Sequence, residues 1–175
     1  VPATKRSGDG FRVFAIGDSQ NQSIEVTIKG LTITGGDLSD DVQSAEDSKG
    51  AGILNYADLT LDDVNVVDNA VVHKKYTKLD EGEMVDVEEG GHALGGGIHS
   101  TGHRLLIQNG CVIADNQAKA SYTGDYTGTQ NDPTDISRNY STAKGGGVFV
   151  EAGTSSASME IYDSTIEDNT VSVDS

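Results

Sequence analysis

The sequence has no tryptophan, two prolines and one cysteine, and aromatic residues fill only 5% of its 175 positions. A core built on large aromatic side chains is therefore excluded. What remains is a thin core of Val, Ile and Leu, and β-branched residues favour strands. The lone Cys111 rules out an internal disulfide framework. Its place within an apolar alternation suits a small buried hydrophobe rather than a nucleophile. Basic residues are scarce as well: 12 Lys and Arg stand against 28 Asp and Glu, a formal net charge of −16. Nucleic-acid backbones and anionic membranes need basic patches, so neither is an expected partner. Cations and cationic partners fit this balance, and so does a merely solvated acidic surface. No run approaches the ~20 apolar residues of a membrane helix, and membrane insertion is not expected. The chain opens with VPATKRSGDG, which reads as the start of a mature or excised segment, and no signal peptide is visible.

Glycine is abundant instead, with 22 copies, and many fall in one recurring phrase: GAGI at 50–53, GGGI at 95–98 and GGGV at 145–148. Each phrase precedes an apolar alternation ending in Asp-Asn: LTLDDVNVVDN (59–69), LLIQNGCVIADN (105–116) and MEIYDSTIEDN (159–169). The opening stretch VTIKGLTITGG (26–36) fits the same frame with Gly36 in place of Asn. Apolar-polar alternation is the mark of a half-buried strand, and no helical period is sustained anywhere.

Aligned on Asp-Asn, the copies superpose by column. Val26, Leu59, Leu105 and Met159 form one; Ile28, Leu61, Ile107 and Ile161 a second. Leu31, Val64, Cys111 and Ser164 form a third, and Ile33, Val66, Ile113 and Ile166 a fourth. Ile53, Ile98 and Val148 follow the glycines as a fifth. Columns of like residues are what a stacked solenoid requires, because each side chain packs on its counterpart one coil away. Three short parallel strands per coil are expected. The glycines would lie where the chain turns into the first strand, at positive φ and close to the next coil. Asn69, Asn116 and Asn169 would occupy another turn. Asn tolerates left-handed geometry, and stacked amides can bond to one another in a ladder. One irregularity stands out: Ile107 to Asn116 spans nine steps where Leu61 to Asn69 spans eight. The extra residue falls near Asn109-Gly110 and reads as a bulge or widened turn.

The pattern GGGI…L-x-I-x-x-S-x-I-x-x-N resembles right-handed parallel β-helix proteins of the pectate-lyase-like superfamily. More narrowly, it is similar to the polymorphic-outer-membrane-protein-like repeats of bacterial surface and secreted proteins. The resemblance covers about residues 11 to 172 and specifies fold better than function. It implies an all-β, right-handed parallel β-helix of about four coils (about 11–36, 50–69, 95–116 and 145–169) at the cell surface or outside the cell. Loop excursions fall at 37–49, 70–94 and 117–144, with a shorter one at 151–158.

The three long excursions leave from the same corner of the coil, so they should gather on one side and wall a groove. Binding loops are commonly carried this way on a rigid scaffold. Tyr122, Tyr126 and Tyr140 in the third excursion are candidates to stack on sugar faces, and equally candidates to cover the solenoid flank. Arg138 in that excursion and Arg104 at a turn are candidate cationic contacts. Related β-helix enzymes cut acidic polysaccharides, by lyase chemistry with a base and a bound cation or by hydrolysis with paired carboxylates. No catalytic motif of theirs maps onto this chain residue by residue, and an acidic surface repels such a substrate. Asp68, Asp115 and Asp168 form a column whose charges, if stacked, would lie roughly 5 Å apart. A bound Ca²⁺ would bridge them, and splaying into solvent would equally relieve them. The histidines, His73, His92, His99 and His103, show no metal-ligand spacing.

Neither terminus reads as an amphipathic cap. The sequence is therefore expected to be a non-catalytic structural or adhesive module. Either it is a segment of a longer surface protein, or its copies assemble end to end into a fibre. A polysaccharide-binding or polysaccharide-cleaving role in the groove and a Ca²⁺-stabilised surface segment are the alternatives.

Overall fold

A computed structural model describes residues 11–18, 24–38, 48–73, 76–80, 83–87, 92–102, 104–121, 142–152 and 157–174. The first coil carries β1 (Phe14–Ile16), β2 (Glu25–Lys29), β3 (Thr32–Thr34) and β4 (Asp37–Leu38). The second carries β5 (Ser48–Lys49), β6 (Ile53–Asn55), β7 (Asp58–Asp62), β8 (Asn65–Val67) and β9 (Ala70–His73). A hairpin of β10 (Tyr76–Asp80) and β11 (Glu83–Val87) follows, and its antiparallel pairing sets it apart from the stacked coils. The third coil has β12 (His92–Leu94), β13 (Ile98–Ser100), β14 (Arg104–Gln108), β15 (Val112–Ala114) and β16 (Gln117–Ser121). The fourth has β17 (Thr142–Lys144), β18 (Val148–Val150), β19 (Ser158–Ile161), β20 (Thr165–Glu167) and β21 (Thr170–Asp174).

Strands of successive coils pair in parallel. They build four four-stranded sheets (β1-β6-β13-β18, β2-β7-β14-β19, β3-β8-β15-β20 and β4-β9-β16-β21) and a three-stranded sheet of β5, β12 and β17. The fold is a parallel β-helix of four coils.

Register follows the sequence columns. Val26, Leu59, Leu105 and Met159 pair in one row, and Ile28, Leu61, Ile107 and Ile161 in the next-but-one. Ile33, Val66, Ile113 and Ile166 pair likewise, as do Phe14, Ile53, Ile98 and Val148. The extra residue of the third coil is absorbed in the turn before β15. Asn109 (φ 60°) and Gly110 (φ 83°) are both left-handed there, where the second coil has Asp63 alone (φ 55°).

Each coil has more strands than the alternation predicts. The stretches 37–38, 48–49, 70–73, 92–94, 117–121 and 142–144, read as parts of the excursions, are strands of two further stacked sheets. The excursions thus leave from one sheet (β4, β9, β16) and return through another (β5, β12, β17).

The interior has two compartments. The wider one holds the Leu, Ile and Val columns, including Leu59, Leu61, Val64, Val66, Ile98, Leu105, Ile107 and Ile113, all buried. Burying one such side chain stabilises the fold by about 1.5–3 kcal/mol. The narrower one is lined by Ala51, Val71, Ala93, Ala118 and Ala120, where methyl groups fill the gap between closely approaching strands. The glycine phrase and the Asn column meet between the two compartments, and this contact answers for the glycines. Gly95 enters β13 at φ +65°, a left-handed conformation that side chains disfavour. Gly97 faces the Asn116 amide so closely that an added Cβ would stand 2.9 Å from Asn116 Cγ.

Candidate functional site

The two ends of the solenoid differ. In the last coil, Met159, Ile161, Ile166, Val171 and Val173 continue inward-facing columns, yet all five are exposed. Their counterparts one coil earlier (Leu105, Ile107, Ile113, Ala118 and Ala120) are fully buried. Among the described residues, strands β17 to β21 each lie at the edge of their sheet, with no described strand paired on their outer side. The fourth coil thus presents exposed aliphatic side chains on strands at the edges of their sheets.

At the opposite end the chain partly closes itself. The Asp37 N–H, which in later coils has its equivalents in Ala70, Gln117 and Thr170 bonded to the preceding coil, donates to the Phe11 carbonyl at 3.1 Å. Ile33 is 1% exposed, whereas Ile166 in the same column is 42% exposed. Phe11, Phe14, Ile24 and Leu31 remain exposed around this end.

The Asn column runs through the second, third and fourth coils. Asn69 Nδ2 donates to Asn116 Oδ1 at 2.9 Å, and Asn116 Nδ2 donates to Asn169 Oδ1 at 2.9 Å. The same oxygens accept from the backbone: Asn69 N–H to Asn116 Oδ1 and Asn116 N–H to Asn169 Oδ1, each 3.1 Å. In the first coil, where Gly36 replaces Asn, the Gly36 N–H donates to Asn69 Oδ1 at 2.9 Å. Asn116 Nδ2 also donates to Val66 O, and Asn169 Nδ2 to Ile113 O and Glu167 O. The ladder ends at Asn169, whose backbone N–H finds no next amide oxygen among the described residues.

The left-handed turn residue is the Asp before each Asn, not the Asn itself. Asp68, Asp115 and Asp168 have φ of 53°, 56° and 51°, with Gly35 (φ 77°) as their counterpart in the first coil. The division of labour is physical: Asp tolerates the left-handed region and stays solvated, while the uncharged amide goes inside. All three aspartates are exposed. Among the described residues no three His, Cys, Asp or Glu side chains gather as a metal site would.

Arg104 lies exposed on β14 and pairs with Glu160 one coil away, Nη2 to Oε2 3.1 Å. Glu160 holds the Arg104 guanidinium pKa above its ordinary value. On the same outer face, Lys29 Nζ lies 3.2 Å from Asp62 Oδ2 and Asn109 Nδ2 donates to Asp62 Oδ1. These partners hold the Asp62 carboxyl below its ordinary pKa, Asn109 contributing most and Lys29 next. Tyr122, Tyr126, Tyr140, Arg138 and His103 lie outside the described residues. Cys111 is buried, its Sγ 3.1 Å from the Gln108 carbonyl and accepting from the Val64 N–H.

Alternation alone does not single out His99 among the outward-pointing residues of its sheet. The ring is fully buried between Leu54 and Phe149 in its sheet row and stacks on Phe149 with centroids 5.4 Å apart. Its Nε2 approaches Glu151 Oε2 to 3.3 Å, an ion-pair distance without the alignment of a good hydrogen bond. Burial pushes the His99 pKa down to about 4, Lys49 adds to this, and Glu151 opposes it. A neutral imidazole therefore sits in the wall of the solenoid at neutral pH.

The chain matches no protein-family model, no curated protein and no solved structure. No helix among the described residues is long and apolar enough to cross a membrane.

Proposed function

We propose that the protein is a non-catalytic structural or adhesive module that works at the cell surface or outside the cell. Its C-terminal face joins it to further β-structure in a larger assembly. The observation that carries this reading is the exposure of Met159, Ile161, Ile166, Val171 and Val173 in the fourth coil, whose row partners one coil earlier are all buried. An aliphatic face bordered by free strand edges gains both hydrophobic burial and backbone hydrogen bonds from a docked strand layer. The charged side chains of the outer face support the same role. Lys29 with Asp62 and Arg104 with Glu160 pair across coils along the exposed flank. The net charge of −16 keeps such flanks apart in solution, which confines association to the end.

Sedimentation of the protein against an Ile161→Lys/Ile166→Lys variant tests this. Both side chains are exposed, so the variant retains its strand spectrum. The naked face of the wild type drives reversible association as concentration rises, and the variant stays monomeric. A wild type that sediments as a monomer at every accessible concentration removes the basis of the reading.

A further inference from the structure

We propose that Asn109 is a site of spontaneous covalent modification, deamidation to aspartate and isoaspartate. The docked fourth coil suppresses the reaction, and the product in turn loosens the coils around it. The chain holds one Asn-Gly pair, Asn109-Gly110. Such a pair is prone to this reaction because glycine has no side chain to hinder attack by its own backbone nitrogen. The step needs only the chain and water. The Gly110 nitrogen, its proton lost to base, attacks Asn109 Cγ. The bond from Cγ to Nδ2 breaks, ammonia leaves, and a succinimide ring closes. Water then opens either carbonyl of the ring, giving aspartate or, with the backbone rerouted through the side chain, isoaspartate.

Both residues are exposed, so water and base reach them. Nothing lies within 4 Å of the place where a Gly110 Cβ would stand. Two contacts hold the reaction off. The Gly110 N–H donates to the Asp163 carbonyl of the fourth coil at 2.7 Å, so the proton that must leave is engaged. Asn109 Nδ2 donates to Asp62 Oδ1 of the second coil at 3.1 Å, which tethers the departing amide. The left-handed pair, φ 60° and 83°, is thus pinned to coils on both sides. Reaction requires the turn to part from Asp163, a local opening rather than global unfolding. The ladder residues differ on both counts. Asn69, Asn116 and Asn169 are followed by Ala, Gln and Thr, and each side-chain amide is bonded within the stack.

The product lands where the stack is already crowded with charge. Asp63 and Asp163 hold the equivalent turn in the second and fourth coils, and both are exposed. Asn109 is the neutral residue between them. Deamidation replaces its donor to Asp62 with a carboxylate oxygen and sets like charges roughly one coil spacing apart, ~5 Å. Isoaspartate also adds a backbone atom to the turn. Each change opposes closure of the turn on Asp163, so a modified molecule reopens more readily than an intact one.

Two experiments test the two halves. In the first, the protein and a synthetic peptide of residues 105–119 (LLIQNGCVIADNQAK) are incubated side by side in mildly alkaline, reducing buffer. Tryptic digestion and mass spectrometry follow conversion at Asn109. The folded protein converts about tenfold or more slowly than the peptide. An Asn169→Ala protein that still melts cooperatively lacks the oxygen that accepts the Asn116 N–H and Nδ2, so its fourth coil is held less firmly. It converts Asn109 about three- to tenfold faster than the wild type. Equal rates in protein and peptide, no conversion in either, or no acceleration in the Asn169→Ala protein overturns the suppression by the fourth coil.

In the second, Asn109→Asp supplies the product directly. Aspartate already serves this turn at positions 63 and 163, so the backbone accepts it and the variant reports charge. Its urea midpoint falls below that of the wild type at low salt and recovers at high salt. The fall is smaller in an Asp62→Asn background, where the opposing carboxylate is gone. An unchanged midpoint, or an equal fall in both backgrounds, overturns the loosening by the product.

Discussion

The Asn69 side-chain amide donates to Asn116 Oδ1 at 2.9 Å, and the Asn69 backbone N–H donates to that same oxygen at 3.1 Å. One oxygen thereby satisfies a side chain and a peptide group of the neighbouring coil, both of them buried. The boundaries between the second and third and between the third and fourth coils are each closed by a pair of bonds that exists only if the coils are in register. The ladder fixes register in the way a single buried polar residue fixes pairing in other repetitive folds.

Asn116→Ala should therefore be the costliest ladder substitution. It removes the acceptor for two Asn69 donors and the donor to Val66 O and Asn169 Oδ1. With about 1 kcal/mol per hydrogen bond and a larger penalty for the stranded donor, the loss is about 2–4 kcal/mol. Asn169→Ala, at the open end, should cost about half as much. Urea unfolding followed by circular dichroism measures both, and equal losses at the two positions would contradict a ladder that carries load across coils.

Two glycines separate conformational from steric need. Gly110 is left-handed with open space around its missing Cβ, so Gly110→Ala should cost about 1 kcal/mol of backbone strain. At Gly97 the added methyl would stand 2.7 Å from the Gly147 carbonyl and 2.9 Å from Asn116 Cγ. Gly97→Ala must push coils apart, and a loss of about 3 kcal/mol or more is expected, in the range of severe overpacking. If the two variants unfold at the same denaturant concentration, the glycine phrase is not the close-packed seam described above.

The inner columns were legible in the sequence because their period of two is unbroken and the stack repeats the same choice four times. Leu61, Ile107 and Ile161 could be placed in one row from the alignment alone. Strands such as β9 and β16 were less visible. Ala70–His73 and Gln117–Ser121 line the narrow compartment with small side chains, whose hydrophobic signal is weak, and they border polar excursions. The turn chemistry was assigned one residue too late, to Asn69 rather than Asp68, since both types accept positive φ and only burial distinguishes them. The Phe11 contact on Asp37 joins residues far apart in an irregular stretch with no repeat to announce it.

Position in the stack, not residue type, sets the cost of losing an aliphatic side chain. Ile113 is 0% exposed and Ile166 in the same row is 42% exposed. Ile113→Ala should cost about 2–5 kcal/mol, the range of buried large-to-small changes, and Ile166→Ala about 1 kcal/mol or less. Docking of a partner layer on the C-terminal face would bring the second value up towards the first. Chevron or equilibrium unfolding of the pair gives the comparison. An equal cost in the isolated protein would mean that the last coil is already covered.

Acid should weaken the fold through His99. An exposed, unfolded imidazole titrates near 6.5, whereas in the folded chain the ring is held neutral down to about 4 by burial first and the Lys49 charge second. Between those values the unfolded chain binds a proton that the folded one refuses, so stability falls as pH drops. The contribution is fully present above pH 6.5 and lost on descending through about 4. Its size is on the order of 3 kcal/mol from the separation of the two pKa values. Protonating the many carboxylates of this acidic chain acts in the opposite direction by relieving self-repulsion, which would mask the effect in the wild type alone. His99→Leu removes the titration while matching Leu54, its neighbour in the sheet row, and leaves the carboxylates unchanged. The difference in unfolding free energy between wild type and variant should therefore shift towards the variant as pH falls from 7 to 4.5, with most of the change below 6. Parallel stability curves for the two proteins across that range would show that His99 is not held neutral by its burial.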